Sequence, residues 1–264
     1  MMRLFSVAGV CMLLAILFTA SASATPQSTL SDAWARYSRD AAQQSPAYRF
    51  PYQHCFDEAA QRHEMPVTLL LAVARGESDF NGTARSKADA HGLMQILWPG
   101  TAQDLGFSRV SELYEPCRNV DAGARYLKQM LKRYDGDLHL ALAAYNYGPR
   151  RIPVGAERIP QGAEWYSGYI FRHLGYVLGD GRRAVPSGTA YDAERKILLV
   201  EFAAPYRAQA FVDTMEAASP QLRLDWFRVE AGRFRVVMSY SSDSELANAR
   251  AGLAGAGFEL DWRD

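Results

Sequence analysis

The chain has 264 residues, of which 29 are basic (Lys or Arg) and 29 are acidic, so its formal net charge is zero. This balance excludes a nucleic-acid-binding protein that works by bulk positive charge. Hydrophobic residues make up 48% and charged residues 22% of the chain, which is typical of a folded globular protein and excludes a largely disordered one. The length allows one large domain or two smaller ones.

The N-terminal segment has the layout of a secretory signal peptide. Arg3 gives a positive start, an almost unbroken apolar run covers residues 4–18, and Ala22-Ser23-Ala24 is a small-residue cleavage site. A membrane anchor is the alternative interpretation, but an apolar run of roughly 15 residues is short for a bilayer span. We therefore predict that residues 1–24 are a signal peptide and that no stable membrane span remains after their removal.

Two cysteines, Cys55 and Cys117, remain outside the predicted signal peptide. An even pair in an exported chain indicates a disulfide, and the alternative is two buried free thiols. Such a bond would close a loop of about 62 residues, which is worth roughly 4 kcal/mol in the chain-entropy model. Neither cysteine has a second Cys or His at a typical metal-ligand spacing, so we predict no metal site.

The middle of the chain has helical periodicity. Residues 25–50 are polar and contain two prolines, and we interpret them as an approach segment with one short helix near residues 30–42. Residues 51–179 form a predicted all-α domain. A helical pattern starts at Phe56, and separate helices are predicted at 67–77, 119–134, 138–147 and 165–178.

After a predicted linker at residues 180–190, the spacing of hydrophobic residues changes from a helical period of 3.6 residues to a strand period of 2. Within residues 191–264 the predicted elements are a strand at 196–202, a helix at 209–218, strands at 222–226 and 234–240, a helix from the capping box Ser242/Glu245 to Leu253, and a strand at 258–262. This β-α-β-β-α-β order predicts a small ferredoxin-like domain. The fold class is therefore α+β, with a mainly α domain followed by a βαββαβ domain.

One carboxyl group has an unusual position. Glu77 lies at the end of a predicted helix whose other residues are nearly all apolar, so its carboxyl is partly desolvated. Desolvation disfavours the charged form and raises the pKa. A carboxylic acid that stays protonated near neutral pH can donate a proton to a leaving group.

Three ordered blocks carry a family resemblance: Glu77-Ser78-Asp79-Phe80, then Ser86 followed by Gly92-Leu93-Met94-Gln95-Ile96, then Ala144-Tyr145-Asn146-Tyr147-Gly148. In these blocks residues 55–148 resemble the lytic transglycosylases of the soluble-transglycosylase (SLT) type, which have a goose-lysozyme-like α fold. The resemblance implies a lysozyme-like catalytic domain, a periplasmic location, peptidoglycan glycan strands as the substrate and no cofactor. The cysteine pair resembles that of small members attached to secretion or conjugation machines, which implies such an apparatus as a partner.

The resemblance also implies a mechanism. Glu77 would act as a general acid on the β-1,4 glycosidic oxygen between MurNAc and GlcNAc, and then as a base toward the MurNAc 6-hydroxyl, which gives a 1,6-anhydro sugar without water. The implied substrate-binding residues are Ser86, Met94, Gln95, Tyr145 and Asn146. Tyr145 would orient Glu77 or hold the N-acetyl group.

Each of these residues also has a purely structural interpretation. Ser86 could cap a helix, Met94 could fill the core, and Gln95 could brace a loop. Without its context, Tyr145 would be a half-buried core residue. Asp89 stands where the family has Gly, in a turn that needs positive φ, which Asp tolerates better than most residues.

Two other functions remain open. A hydrolytic muramidase would use Glu77 with Asp89 as the second carboxylate. A non-catalytic peptidoglycan-binding component of an envelope-spanning machine would not need the carboxyl of Glu77.

The C-terminal part is weakly similar to sporulation-related repeat (SPOR) domains, most clearly at residues 234–245, which implies binding of glycan strands stripped of peptides. A docking or dimerisation module is the alternative for this part.

Overall fold

A computed structural model describes residues 26–156, 158–179, 195–230 and 233–259. The predicted signal peptide, the predicted linker and the last residues of the predicted final strand lie outside these ranges. In chain order the helices and strands are α1 (Pro26–Asp40), α2 (Gln53–His63), α3 (Val67–Ser78), β1 (Ala90–His91), β2 (Ile96–Leu97), α4 (Gly100–Asp104), α5 (Pro116–Arg133), α6 (Leu138–Tyr147), α7 (Gln161–Leu178), β3 (Arg195–Phe202), α8 (Pro205–Ala218), β4 (Leu224–Glu230), β5 (Arg233–Tyr240) and α9 (Asp243–Gly255). Short 3-10 helices cover Ala41–Gln43 and Val110–Tyr114.

The helical part forms around α3. Residues 68–76 of this helix are buried on all sides, as its nearly unbroken apolar sequence requires. α7 packs directly against it at Gly76, where a Cβ atom would lie 2.6 Å from Cδ1 of Ile170. A side chain at this position would require the Ile170 side chain to shift, and the glycine permits the close approach of the two helices.

The N-terminal helix is part of this core, which differs from the predicted polar approach segment. Trp34 is 1% exposed, and its Nε1 donates a hydrogen bond to Oγ of Ser167 on α7 at 2.9 Å. The hydroxyls of Tyr37 and Thr68, which lies on α3, are 2.8 Å apart. Trp34, Tyr37 and the buried Ala41 recur at helical spacing, so one face of α1 completes the core although its composition is polar overall.

A small antiparallel hairpin interrupts the region that was predicted to be all-α. β1 pairs with β2 through Ala90 with Leu97 and His91 with Ile96. Strands of two residues carry no alternating pattern, which is why periodicity did not indicate them. Residues 92–95 of the Gly-Leu-Met-Gln-Ile block form the connection between the two strands, and Ile96 begins β2.

The C-terminal elements follow the predicted β-α-β-β-α order over the described residues. The sheet is antiparallel with the order β3-β5-β4, so β5, the last of the described strands, lies in the middle. A small core that includes Leu199, Leu222, Met238 and Leu253 lies between this sheet and its helices. Ser242 caps α9 by accepting a hydrogen bond from the backbone N–H of Glu245 at 3.2 Å, as the capping box predicts.

The sheet docks onto the helical core through its edge strand β4. Asp225 accepts hydrogen bonds from Arg75 of α3 and from Arg172 of α7, the latter at 2.5 Å. The backbone N–H of Arg228 donates to the hydroxyl of Tyr169 at 3.1 Å, which satisfies an edge-strand donor. The two parts of the chain therefore share one packed boundary in this structure. Within the described ranges, no helix combines the length and apolar character that a membrane crossing requires.

Candidate active site

Glu77 lies in the last turn of α3, where the chain reverses. Asp79 and Phe80 both have left-handed backbone conformations, with φ of 49° and 60°. Ser78 donates a hydrogen bond from Oγ to the carbonyl of Leu93 at 2.9 Å, which ties the helix end to the Gly-Leu-Met-Gln-Ile block. The helix end and the loop are thus fixed relative to each other beside a partly buried carboxyl.

The surroundings of Glu77 favour a protonated carboxyl. Burial raises the pKa of Glu77, while the Arg228 guanidinium and a hydrogen bond from Tyr166 act in the opposite direction. The Tyr166 hydroxyl donates to Oε1 of Glu77 at 2.5 Å. Because burial dominates, the carboxyl holds its proton to a higher pH than an exposed glutamate does.

Tyr145 is a buried neighbour of Glu77, but its hydrogen bond goes to the loop. Its hydroxyl donates to the carbonyl of Met94 at 2.7 Å. Burial and the nearby Glu77 carboxyl raise the pKa of Tyr145 well above its ordinary value, so it remains a neutral phenol. The tyrosine that binds Glu77 directly is Tyr166 on α7, whereas Tyr145 was predicted either to orient Glu77 or to hold the N-acetyl group.

The loop between β1 and β2 is held by a buried amide from α5. Oδ1 of Asn119 accepts from the backbone N–H of Met94 at 2.7 Å, and its Nδ2 donates to the carbonyls of His91 and Leu113 at 2.9 Å each. Gly92 has φ of 74°, and a Cβ there would lie 2.4 Å from the Leu113 carbonyl oxygen. Only glycine fits this tight, left-handed position.

Met94 is placed in the core, which differs from the expected groove-lining side chain. It is fully buried, and its side chain packs against Gly123 of α5, where a Cβ would lie 2.5 Å from Met94 Cβ. The backbone of Met94 contacts the site instead, since its carbonyl receives the hydrogen bond from Tyr145. The thioether therefore acts as core filling in this structure.

Ser86 and Gln95 both make local hydrogen bonds. Oγ of Ser86 accepts from the backbone N–H of Ala90 at 3.0 Å, so the serine braces the turn before β1. Nε2 of Gln95 donates to the Gly92 carbonyl at 2.9 Å, which stabilises the left-handed loop that contains it. Both side chains are half-buried.

Asn146 and Tyr147 follow Tyr145 at the end of α6. Oδ1 of Asn146 accepts a 3.4 Å hydrogen bond from Nη1 of Arg228, so this residue meets the C-terminal sheet. The hydroxyl of Tyr147 lies over Gly162 in the first turn of α7, where a Cβ would be 1.9 Å away. The large Tyr147 is thus accommodated by a glycine on the neighbouring helix.

Asp89, the alternative second carboxylate, has partners of its own. It adopts the left-handed conformation that the turn requires, with φ of 64°. Its carboxylate lies 2.7 Å from Nη2 of Arg85 and 3.0 Å from Nε2 of His91. The hydrogen bond from Arg85 is the main influence that holds the pKa of Asp89 below its ordinary value.

Cys55 and Cys117 form a disulfide that joins α2 to α5, with their Cα atoms 4.7 Å apart. The ring of His54 lies 3.4 Å and 3.5 Å from the two sulfur atoms. Among the described residues these three side chains are a group close enough for a metal ion. Because both sulfurs are oxidised to a disulfide, they are not the thiolates that a metal site needs.

Three residues at the site were not predicted in their present roles: Asn119, Tyr166 and Arg228. Tyr166 belongs to the predicted helix at 165–178, but its contact with Glu77 depends on how this helix packs against α3. The buried position of Asn119 on an amphipathic helix is a possible signal, because a buried amide needs partners. Arg228 has no local signal, since its role depends on how the sheet docks onto α7.

Part of the chain is similar in sequence to known proteins. Residues 54–158 match the family model described as the transglycosylase SLT domain. The chain is 34% identical over 113 residues to a soluble lytic murein transglycosylase of Escherichia coli, covering 39% of this chain and 17% of that protein. It is 32% identical over 122 residues to a transglycosylase of the Enterobacteria phage PRD1, covering 46% of this chain and 42% of that protein.

Solved structures were also matched. The 70 kDa soluble lytic transglycosylase from Escherichia coli is 33% identical, with 49% of this chain and 23% of that chain covered and a TM-score of 0.39. An inactive variant of the lytic transglycosylase Slt from Pseudomonas aeruginosa is 29% identical, with the same coverage and TM-score. This chain spans less than half of the length of these curated relatives and solved structures. The family match covers residues 54–158, which include Glu77, so this part of the chain is similar to the transglycosylase SLT domain.

Proposed function

We propose that the protein is a peptidoglycan lytic transglycosylase. It would cleave the β-1,4 bond between MurNAc and GlcNAc and form 1,6-anhydroMurNAc, with Glu77 as general acid and then base. The observation that carries this proposal is the partly buried Glu77 carboxyl, whose pKa burial raises and which Tyr166 holds in place, inside the matched SLT domain.

The chemistry needs only one carboxyl. Glu77 donates its proton to the glycosidic oxygen, and the bond from that oxygen to C1 of MurNAc breaks. The substrate's own N-acetyl oxygen stabilises the oxocarbenium-like centre. The Glu77 carboxylate then takes the proton of the MurNAc 6-hydroxyl, whose oxygen bonds to C1. The proton lost in the first step is regained in the second, so no water is consumed.

The hydrogen bonds around Glu77 support this mechanism. Tyr166 donates to Oε1, so we assign proton transfer to the other oxygen, Oε2. Tyr145 and the Met94 carbonyl would position the loop that faces the sugar, and Asn146 would contact the substrate at the end of α6. Ser86 and Gln95 are proposed as substrate-binding residues whose hydrogen bonds also hold the loop in shape.

Hydrolysis of the same bond is the nearest alternative activity. It needs a second carboxylate that activates water or attacks C1. Oδ1 of Asp89 is ion-paired with Arg85 and also contacts Nε2 of His91, and the pairing with Arg85 favours the ionised form of Asp89. The product separates the two activities, because a 1,6-anhydro end is one water lighter than a reducing end.

The proposal is tested by digesting purified sacculi with the wild type, with Glu77→Gln and with Glu58→Gln, an exposed glutamate on α2 that serves as the matched control. Mass spectrometry of the released muropeptides should give anhydro ends from the wild type and from Glu58→Gln. Glu77→Gln should lose on the order of 100-fold to 10,000-fold in rate. Reducing ends as the sole product, or full activity of Glu77→Gln, would contradict the proposal.

We also propose that the protein is exported to the periplasm after loss of residues 1–24 and serves an envelope-spanning secretion or conjugation machine. The Cys55–Cys117 disulfide supports export, because such bonds persist in oxidising compartments. If the protein were instead a non-catalytic component, Glu77→Gln would leave its biological role intact. Complementation of a deletion strain with this variant distinguishes the two.

For the C-terminal sheet we propose a ferredoxin-like, SPOR-like module that binds glycan strands. The order β3-β5-β4 supports this, since it is the order in which the first three strands of a βαββαβ unit pair. Retention of full-length Glu77→Gln on sacculi with and without stem peptides tests it. Preferential retention on stripped strands is expected, and equal retention would favour a docking module.

A further inference from the structure

The C-terminal sheet places a cation at the proposed active site. Arg228 lies on the edge strand β4, and its guanidinium carbon is 5.5 Å from the ring centroid of Tyr166 and 5.8 Å from that of Trp165. Its Nη1 is 3.4 Å from Oδ1 of Asn146. One guanidinium therefore contacts the tyrosine that binds Glu77 and the asparagine at the end of α6.

We propose that Arg228 is a positioning residue of the active site, supplied by the C-terminal sheet, which stabilises the Glu77 carboxylate between the two proton transfers. The inference rests on the proposed function and adds a role for the sheet. It makes the sheet a structural part of the site in addition to the glycan-binding module proposed above.

The backbone around Arg228 is fixed on the helical core. Its own N–H binds the Tyr169 hydroxyl at 3.1 Å, and Asp225, three residues earlier on β4, binds Arg75 and Arg172. Two attachment points on one strand set the register of β4 along α7. The guanidinium is consequently held at the site by the docking of the strand and not by a mobile loop.

The charges around Glu77 explain why a cation is useful there. The groups that interact with its carboxyl are Tyr145 from α6, Tyr166 from α7 and Arg228 from β4. Burial and the Glu77 charge keep both tyrosines neutral, with pKa values well above the ordinary one, so Arg228 is the charged member of this described group. Burial favours the acid form that the first step needs. The cation limits the penalty on the carboxylate that the second step needs.

The test uses full-length variants and the pH dependence of kcat/KM on purified sacculi. Arg228→Met and Arg228→Gln remove the charge, Arg228→Lys keeps it, and Arg235→Met removes a charge from an exposed position on the neighbouring strand β5. Removal of the cation should raise the pKa of Glu77. The alkaline limb, on which Glu77 loses its proton, should therefore move upward by about one pH unit in both neutral variants.

At pH 7, Arg228→Met and Arg228→Gln should also lose about tenfold in kcat, because the Glu77 carboxylate that the second step needs is less stable without the cation. Arg228→Lys should retain the wild-type limb, and Arg235→Met should match the wild type throughout. An unmoved alkaline limb in Arg228→Gln and Arg228→Met, with anhydro product still formed, overturns the inference and leaves the proposed function intact. A wild type that forms no anhydro product overturns the proposed function itself.

Discussion

At the scale of single residues, Glu77 is held in an environment that suits a reaction better than it suits stability. Burial destabilises its charged form, so its folded-state pKa lies above the value of about 4.3 for an exposed glutamate. As the pH rises above that value, the unfolded chain releases the proton before the folded protein does. The folded protein therefore loses stability relative to the unfolded chain over this pH range.

The variant Glu77→Gln should consequently be more stable than the wild type at pH 7. It keeps the shape of the side chain and removes the charge, and we expect a gain of about 0.5–2 kcal/mol in the free energy of unfolding. The gain should shrink toward pH 4, where Glu77 is largely protonated in the unfolded wild type as well. Urea unfolding at the two pH values measures it, with Glu58→Gln as the control. A wild type more stable than Glu77→Gln at pH 7 would show that the carboxyl is not desolvated.

At the residue scale, only part of the site could be predicted from the sequence. Glu77 could be predicted because an isolated carboxyl in an apolar helix has few ways to stay solvated. Tyr166 and Arg228 could not, because their distances to Glu77 depend on the packing of α7 and β4 against α3. Met94 was predicted from the family block to line the groove, but its side chain fills the core and its carbonyl contacts Tyr145.

At the scale of secondary-structure elements, α5 acts as a clamp for the β1–β2 loop. Asn119 uses both ends of its amide to satisfy three backbone groups from two other segments. Because these groups are buried, each would lose its hydrogen bond without finding water. The β1–β2 loop, whose Met94 carbonyl accepts the hydrogen bond from Tyr145, therefore depends on a residue of α5 for its conformation.

Asn119→Leu should destabilise the protein strongly. The side chain has nearly the same size, but the three backbone groups lose their partner, at about 1–3 kcal/mol for each buried group left unsatisfied. We expect a loss of about 3 kcal/mol or more in the free energy of unfolding, measured by urea denaturation. Gln103→Leu, an exposed amide on α4, is the control and should change little. A loss below about 1 kcal/mol would mean that water replaces the amide.

The elements themselves were predicted unevenly. α6 was predicted at its observed bounds because its apolar pattern ends at the Gly148 turn. α5, α7 and α8 begin earlier than their apolar periodicity suggests, since their first turns are polar, and α5 and α8 open with proline. The packing of α1 was missed because two aromatic residues in a polar segment give a weak signal.

At the scale of the whole molecule, the helical part and the C-terminal sheet are joined by a buried charge cluster. Arg75 is 3% exposed, and Asp225 lies between it and Arg172. The two guanidinium groups hold the pKa of Asp225 well below its ordinary value although burial acts against this. A second ion pair, Lys196 with Asp79 at 2.5 Å, connects β3 to the residue that follows α3.

Asp225→Ala should weaken both folding and activity. It removes the counter-charge of two partly or fully buried arginines, which typically costs about 3–5 kcal/mol. It also loosens β4, so Arg228 should leave its position and the pH profile should shift as in Arg228→Met. Thermal unfolding and kcat/KM at several pH values measure these effects. The control is Asp243→Ala, which removes an exposed partner of Arg195. Unchanged stability and an unchanged profile would show that the sheet does not dock through this cluster.

The most direct test of the central claim is digestion of sacculi in oxygen-18-labelled water, followed by mass spectrometry of the new glycan ends. If Glu77 serves as acid and then as base toward the sugar's own hydroxyl, the MurNAc ends carry no label and are one water lighter than reducing ends. Reducing MurNAc ends that carry one labelled oxygen would show that water attacks the bond, and would contradict the account.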